Sequence, residues 1–383
     1  MITTAIPLSD PDIASAEIEA VTTALQAPQL ACGPAVEAFE AAFAAYVGRK
    51  HAVAVASGTL GLLLALKANG IGLGHEVIAS PFSWREAAHA ITLACATPVF
   101  ADIDYWSGAL APDKVEPLIN GKTRAIVVSN TNGHPAPWNA FRALAQRHGM
   151  TLIEDSTEAV GSVYQGARVG SFGDCAVFDF SQPGPLTCGE GGMVVTDDAE
   201  VAAAIRHLRG RRPDERASVV IGATLPYYAG MSEIAAALGL AQLQRIDAIL
   251  AKRKRVERWY NEHVQSFEGI KPPYVAPDVD EVHWFLYVVH LGTRFTRSSR
   301  DAIVEDLRTE RIEAAAYGHP LHTQRHYLDR GYRRGNFFVT EKVADRAVAL
   351  PFHTHLTDEQ IAFMVSTMKD ASINVGAGTA IYL

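Results

Sequence analysis

The chain has 383 residues, of which 48% are hydrophobic, and carries a formal net charge of −8. This length suits two domains, or a large domain with a smaller one attached, and the apolar fraction supports a substantial core. The acidic balance disfavours nucleic acid or an anionic membrane surface as the main partner. No apolar run reaches transmembrane length, and the N-terminus lacks a basic start and an apolar core, so a soluble, cytoplasmic protein is expected. Cys32, Cys95, Cys175 and Cys188 are scattered without CxxC spacing; they read as buried thiols, with no metal site.

In chain order, residues 9–26 predict a helix capped by Asp12 or Ser15, with Ile13, Ile18, Val21 and Leu25 on one apolar face. Cys32-Gly33-Pro34 breaks the chain, and a second helix over 36–47 stops at Gly48. A short strand over 52–56 runs into Ser57-Gly58-Thr59 and a helix over 60–68. Free N–H groups, a hydroxyl and the positive helix end make that junction either an anion site or a simple N-cap. Strands follow at 76–79, 97–101, 124–129 and 151–154, with helices at 84–95 and 138–147. This alternation predicts a mainly parallel sheet covered by helices, with ligands beyond the carboxyl ends of its strands.

Five segments meet that condition: 57–59, 80–84, 130–134, 155–158 and 181–185. The last belongs to CAVFDFSQPGPLTCGEGGMVVT, a strand, a polar loop stiffened by Pro183 and Pro185, a glycine turn and a second strand. From Ser232 one long helix is expected to run to about residue 264, linking a large domain (1–245) to a smaller C-terminal domain (246–383). The small domain mixes a strand over 283–290 with helices over 300–310 and 357–370, and the last ten residues read as loosely held.

These pieces carry a resemblance. Ser57-Gly58-Thr59, Gly133-His134-Pro135, Ile153-Glu154-Asp155, Gly170-Ser171-Phe172-Gly173-Asp174, Gly189-Glu190-Gly191-Gly192, Met231-Ser232-Glu233 and Gly318-His319-Pro320 stand in the order found in the nucleotide-sugar aminotransferase family of DegT/DnrJ/StrS type. The chain resembles that family over nearly its whole length. The resemblance implies a fold-type I pyridoxal-phosphate (PLP) enzyme fold: a large α/β domain with a mainly parallel seven-stranded sheet, a smaller α+β domain, and a homodimer with shared sites. It further implies that Gly58, Thr59 and Ser181 hold the cofactor phosphate, Trp84 stacks on the pyridine ring and Asp155 pairs with the ring nitrogen.

The chain also departs from the family. The Schiff-base lysine position, counted back from Gly189-Glu190-Gly191-Gly192, is Gly184, and none of the nine lysines lies between residues 123 and 251. A Schiff base needs a primary amine. Glu158 stands where the family has Gln or His beside the cofactor's phenolic oxygen, and a carboxylate there costs on the order of 4 kcal/mol at about 4 Å. Tyr228 and Gly230 replace an Asn and an Arg ahead of Met231. The sugar 3-dehydratases, a branch without the lysine, have His at that position; this chain does not.

Three readings follow. The first is a biosynthetic enzyme on a small polar metabolite, a sugar or an amine, using carboxylate and histidine acid–base chemistry in place of transamination. Its catalytic candidates are Glu158, His134 and Asp155; Glu86, Asn132, Gln182, Gly184, Tyr228, His319 and His322 complete the candidate pocket. The second is PLP or pyridoxamine phosphate (PMP) bound without a covalent link. The third is a non-catalytic partner or ligand sensor related to an active aminotransferase.

Overall fold

The computed structural model describes residues 5–83, 85–210, 225–265 and 269–380. Helix α1 (Ser15–Gln26) starts later than the sequence predicts. Asp12 does not cap it; the Glu17 carboxylate accepts the Ala14 amide at 2.9 Å. The predicted apolar face is turned outward: Ile13, Ile18 and Leu25 are exposed, while Glu17 and Ala24 are buried. Helix α2 (Pro34–Val47) ends at Gly48 in the left-handed conformation, as its sequence demands.

The central sheet has seven strands: β1 (His51–Val55), β2 (Glu76–Ala79), β3 (Thr97–Phe100), β4 (Thr123–Ser129), β5 (Thr151–Asp155), β8 (Cys175–Asp179) and β9 (Gly192–Thr196). Their spatial order is β1-β9-β8-β5-β4-β2-β3. Between β5 and β8, β6 (Val163–Tyr164) and β7 (Ala167–Arg168) form a small separate ribbon. The pairings of β2, β3, β4, β5 and β8 are parallel, and β9 runs antiparallel to both neighbours. The strands are apolar on both faces because helices cover both. Leu62–Leu66 of α3 (Gly58–Ala68) and Ala87–Ile91 of α4 (Arg85–Leu93) pack on one face, and Phe39 and Phe43 of α2 meet Phe178 and Phe180 on the other.

The long helix expected after Ser232 is two helices, Glu233–Gln244 and Ile246–Val264, bent by 65° at Arg245. Arg245 reaches back to the N-terminal segment, donating to Asp12 at 2.6 Å and Glu17 at 2.5 Å. Burial opposes the charge on Asp12, but hydrogen bonds from Lys252 and Arg245 outweigh it and hold the carboxyl at about 2. Beyond the bend, the strands Ile270–Lys271, Tyr287–Leu291, Ala315–Ala316 and Ala347–Leu350 form a four-stranded antiparallel sheet. The expected strand over 283–290 begins only at Tyr287, because Phe285 and Leu286 donate to Asn132 instead. The C-terminal helix spans Asp358–Ala380, so of the last ten residues, expected to be loose, 374–380 are helical and 381–383 lie outside the described residues. Among the cysteines, Cys175 and Cys188 are buried, whereas Cys32 is half-buried and Cys95 exposed. Among the described residues no single helix is long and apolar enough to cross a membrane.

Candidate functional site

Most of the resemblance-bearing segments turn out to be brackets for the backbone. Glu233 accepts the amides of Gly33 (2.7 Å), Ala35 (2.8 Å) and Val36 (3.1 Å), closing the N-terminus of α2. Glu154 gathers the amides of Gly170 (2.5 Å), Phe172 (2.9 Å) and Gly173 (3.3 Å). Gly318 has a φ of +70°, and a Cβ there would lie 2.1 Å from the Phe82 ring. Glycine at 318 therefore lets the 317–321 segment dock on the end of β2, where Leu321 donates to Pro81 at 2.9 Å.

These brackets bring three carboxylates to the carboxyl ends of β5 and β8. Asp155, at the end of β5, accepts Ser129 Oγ at 2.8 Å and the Thr157 amide at 3.2 Å. Burial pushes its carboxyl above the usual range despite these donors, and the charge of Asp179 adds to the rise. Glu158 lies in the turn that follows. Its Oε2 accepts the Asn132 amide at 2.5 Å and the Tyr317 phenol at 2.8 Å. Burial pushes Glu158 up to about 7; Asp155 and Glu86 push the same way, and the two donors only partly offset them. Asp179 ends β8, and its Oδ2 accepts the Gly58 amide at 2.7 Å. Its Oδ1 accepts the Ser181 amide at 2.8 Å and the Ser181 hydroxyl.

Two cavities adjoin these groups. One, of about 530 Å³, is lined by Glu158, Tyr317, Phe82, Leu286, His319 and Gln324 among others. The other lies between Gly58, Thr59, Glu86, Asp155, Thr157 and Asp179 and measures only about 20 Å³.

The sequence-predicted residues divide accordingly. Gly58, Thr59, Glu86 and Asp155 line the small cavity, and Glu158 and His319 the large one. His319 is exposed, and burial of part of its ring lowers its basicity. Ser181 is turned to Asp179. His134 is spent inside the chain: Nδ1 lies 2.8 Å from Pro135 O and Nε2 accepts the Ala276 amide at 3.1 Å, so neither ring nitrogen is open to a substrate. His322 is buried with Nε2 at 2.8 Å from Glu341, and lines neither cavity. Asn132 braces the Phe285–Leu286 segment and gives its amide to Glu158. Gln182 and Tyr228 are exposed and line neither cavity. Gly184 is half-buried near Phe285. Trp84 lies outside the described residues.

Sequence reasoning missed Asp179 and Tyr317. Asp179 was legible as the carboxylate closing its strand, two residues before the favoured Ser181. Tyr317 had no local signal, since its partner is 159 positions away.

The described residues offer a PLP-type group few contacts at the start of α3. The described linings of both cavities contain no lysine. The cleft beside Gly58 and Thr59 has room for about one water. The amide that an anion would take at the start of α3 already serves Asp179.

The chain is nonetheless similar throughout to proteins of one kind. It is 35% identical over 376 residues to the spore coat polysaccharide biosynthesis protein SpsC of Bacillus subtilis, covering 95% of this chain and 96% of that one. It is 36% identical over 339 residues to the GDP-perosamine synthase of Caulobacter vibrioides, covering 88% and 89%. Among solved structures, DesV of S. venezuelae in complex with a ketimine intermediate superposes with a TM-score of 0.88 at 31% identity, covering 97% of this chain and 99% of that one. Spr1654 of Streptococcus pneumoniae, assigned as a sugar aminotransferase and solved in its PMP form, superposes with a TM-score of 0.92 at 25% identity, covering 98% and 100%. The DegT/DnrJ/EryC1/StrS aminotransferase family matches residues 11–369, and with agreement of this extent in sequence and fold the chain belongs to that family.

Proposed function

We propose that this chain is a biosynthetic enzyme that acts on a small, sugar-like metabolite by acid–base chemistry at Glu158, without a Schiff base and without transamination. One observation carries the reading: Glu158 lines the 530 Å³ cavity with a carboxyl pushed up to about 7. Both of these hydrogen bonds fall on Oε2, and neither engages Oε1. A carboxyl group of that pKa accepts or gives a proton near neutral pH. Apolar walls from Phe82, Leu286 and Leu321 with polar groups from Ser83, Thr323 and Gln324 suit the faces and hydroxyls of a sugar ring. The names of the relatives, a polysaccharide biosynthesis protein and a perosamine synthase, support a sugar substrate.

The test is solvent exchange. The protein is incubated in D2O with a panel of keto- and amino-sugar nucleotides, and deuterium incorporation is followed by mass spectrometry. Wild type is expected to label at least one sugar, and Glu158→Gln to slow that labelling by roughly a hundredfold or more. Equal rates in the two proteins would remove Glu158 as the acid–base group. A homodimer is part of the same proposal, supported by the exposed apolar residues Ile18 and Leu25 on α1 and Ile13 just before it. Ile18→Glu with Leu25→Glu should lower the mass measured by light scattering if this face joins two copies.

A further inference from the structure

We propose that Asp179 is a built-in anion that occupies the helix N-terminus a phosphate would need, closing this site to phosphorylated cofactors. The inference concerns the small cavity beside the one that Glu158 lines; it rests on the acid–base reading and adds to it what this neighbouring cradle excludes.

The sheet register places the carboxylate there. Asp179 on β8 is directly opposite Gly192 on β9, and Gly192 is opposite Val55 on β1. A Cβ at 192 would lie 2.6 Å from the Ser57 carbonyl carbon and 2.7 Å from the Gly58 nitrogen. Because residue 192 has no side chain, the Ser57–Gly58 turn passes over β9 and reaches β8. Gly58 is constrained in the same way, since a Cβ there would lie 2.7 Å from Asp179 Cβ. The Asp179 carboxylate thus sits in a space that glycines on both sides keep open.

Two of the three helix-end donors are committed as well. The first turn of α3 offers the amides of Gly58, Thr59 and Leu60 to a ligand, since the Gly61 amide already bonds to Ser57 O. Asp179 takes Gly58 at 2.7 Å, and the Ser57 hydroxyl takes Leu60 at 3.3 Å. Ser181 gives both its amide and its hydroxyl to Asp179. A helix N-terminus favours negative charge, and here the charge comes from the chain itself. A phosphate dianion would have to displace a carboxylate that is covalently tethered in place and of the same sign.

The test compares wild type, Asp179→Ser and Asp179→Asn by isothermal titration with inorganic phosphate and with PMP, and by thermal melts with added phosphate. Wild type should show no saturable binding of either below about 1 mM. Asp179→Ser opens space and removes charge, and should bind PMP at least tenfold more tightly than wild type, with phosphate raising its Tm but not that of wild type. Asp179→Asn separates charge from volume and should fall between the two. Gly58→Ala is a fold control: it should destabilise wild type and do so less when combined with Asp179→Gly. Micromolar binding of PMP by wild type, or no gain in Asp179→Ser that melts cooperatively, would overturn the proposal. Because the readout is binding, loss of exchange in Glu158→Gln would leave the acid–base reading standing whatever Asp179 does.

Discussion

Tyr317 and Glu158, 159 positions apart in the chain, meet in a 2.8 Å hydrogen bond at the wall of the large cavity. The phenol donates to Oε2 and so favours the ionised carboxylate, against a burial that favours the neutral acid. Tyr317→Phe is therefore predicted to move Glu158 upward from about 7. The acidic limb of the exchange-rate profile should shift to higher pH, and the carboxyl infrared band should report the same shift. A profile unmoved by Tyr317→Phe would mean that another group sets that limb.

The raised Glu158 also makes stability depend on pH. In the unfolded chain it ionises near 4.5, and in the folded chain near 7. Between these values the native state holds the extra proton, so its contribution is fully present below 4.5 and is lost as pH rises through 7. The difference is on the order of 3 kcal/mol. Urea melts at pH 5 and pH 8 should show wild type losing stability across this interval, and Glu158→Gln should flatten that loss. A Glu158→Gln protein with the wild-type slope would contradict the buried, proton-holding carboxyl.

Glu233 is predicted to matter for folding and not for chemistry. It accepts three amides at the start of α2 while itself buried. Glu233→Ala should destabilise the protein by about 2–4 kcal/mol, read from the urea midpoint. Exchange activity per folded molecule should stay at the wild-type level, and a specific loss of activity would place Glu233 in the site.

Restoring an amine at 184 should not be sufficient to restore cofactor capture. A Cβ at Gly184 would meet its nearest neighbours at 3.6 Å, ordinary contact distance, so a side chain can start there. Gly184→Lys is expected to fold, yet to stay colourless after incubation with PLP and desalting, because Asp179 still holds the Gly58 amide. Gly184→Lys combined with Asp179→Ser should retain a visible absorbance band. A band in the single variant would show that Asp179 does not exclude the phosphate.

Local chemistry made much of the fold legible. The apolar strands, the Gly48 stop of α2 and the Ser57-Gly58-Thr59 junction all follow from residues within a few positions of each other. What stayed hidden depended on distant partners. Periodicity alone runs the helix straight through Arg245, because nothing nearby reveals that its side chain is bound to Asp12 and Glu17. The apolar stripe of α1 looked like a core face, yet burial goes to Glu17, which caps Ala14 and bonds to Gln242. His134 looked like a base at a strand end, but the Ala276 amide that occupies it arrives from 142 positions away. In the site itself, Gly184 stands where the resemblance expects an amine. The carboxylate that fills the neighbouring cradle was overlooked because Ser181 seemed the better phosphate ligand.

The Gly58–Asp179 contact has a consequence for how such a chain changes over generations. With Asp179 seated, its carboxylate satisfies a helix end and two groups of Ser181. Replacing it alone unseats those donors and lowers stability, while replacing Gly184 alone leaves the cradle filled. On the proposed reading neither single step would bring cofactor chemistry to this site, so the state would be entrenched: a change would need both substitutions together, with an intermediate poorer than either end.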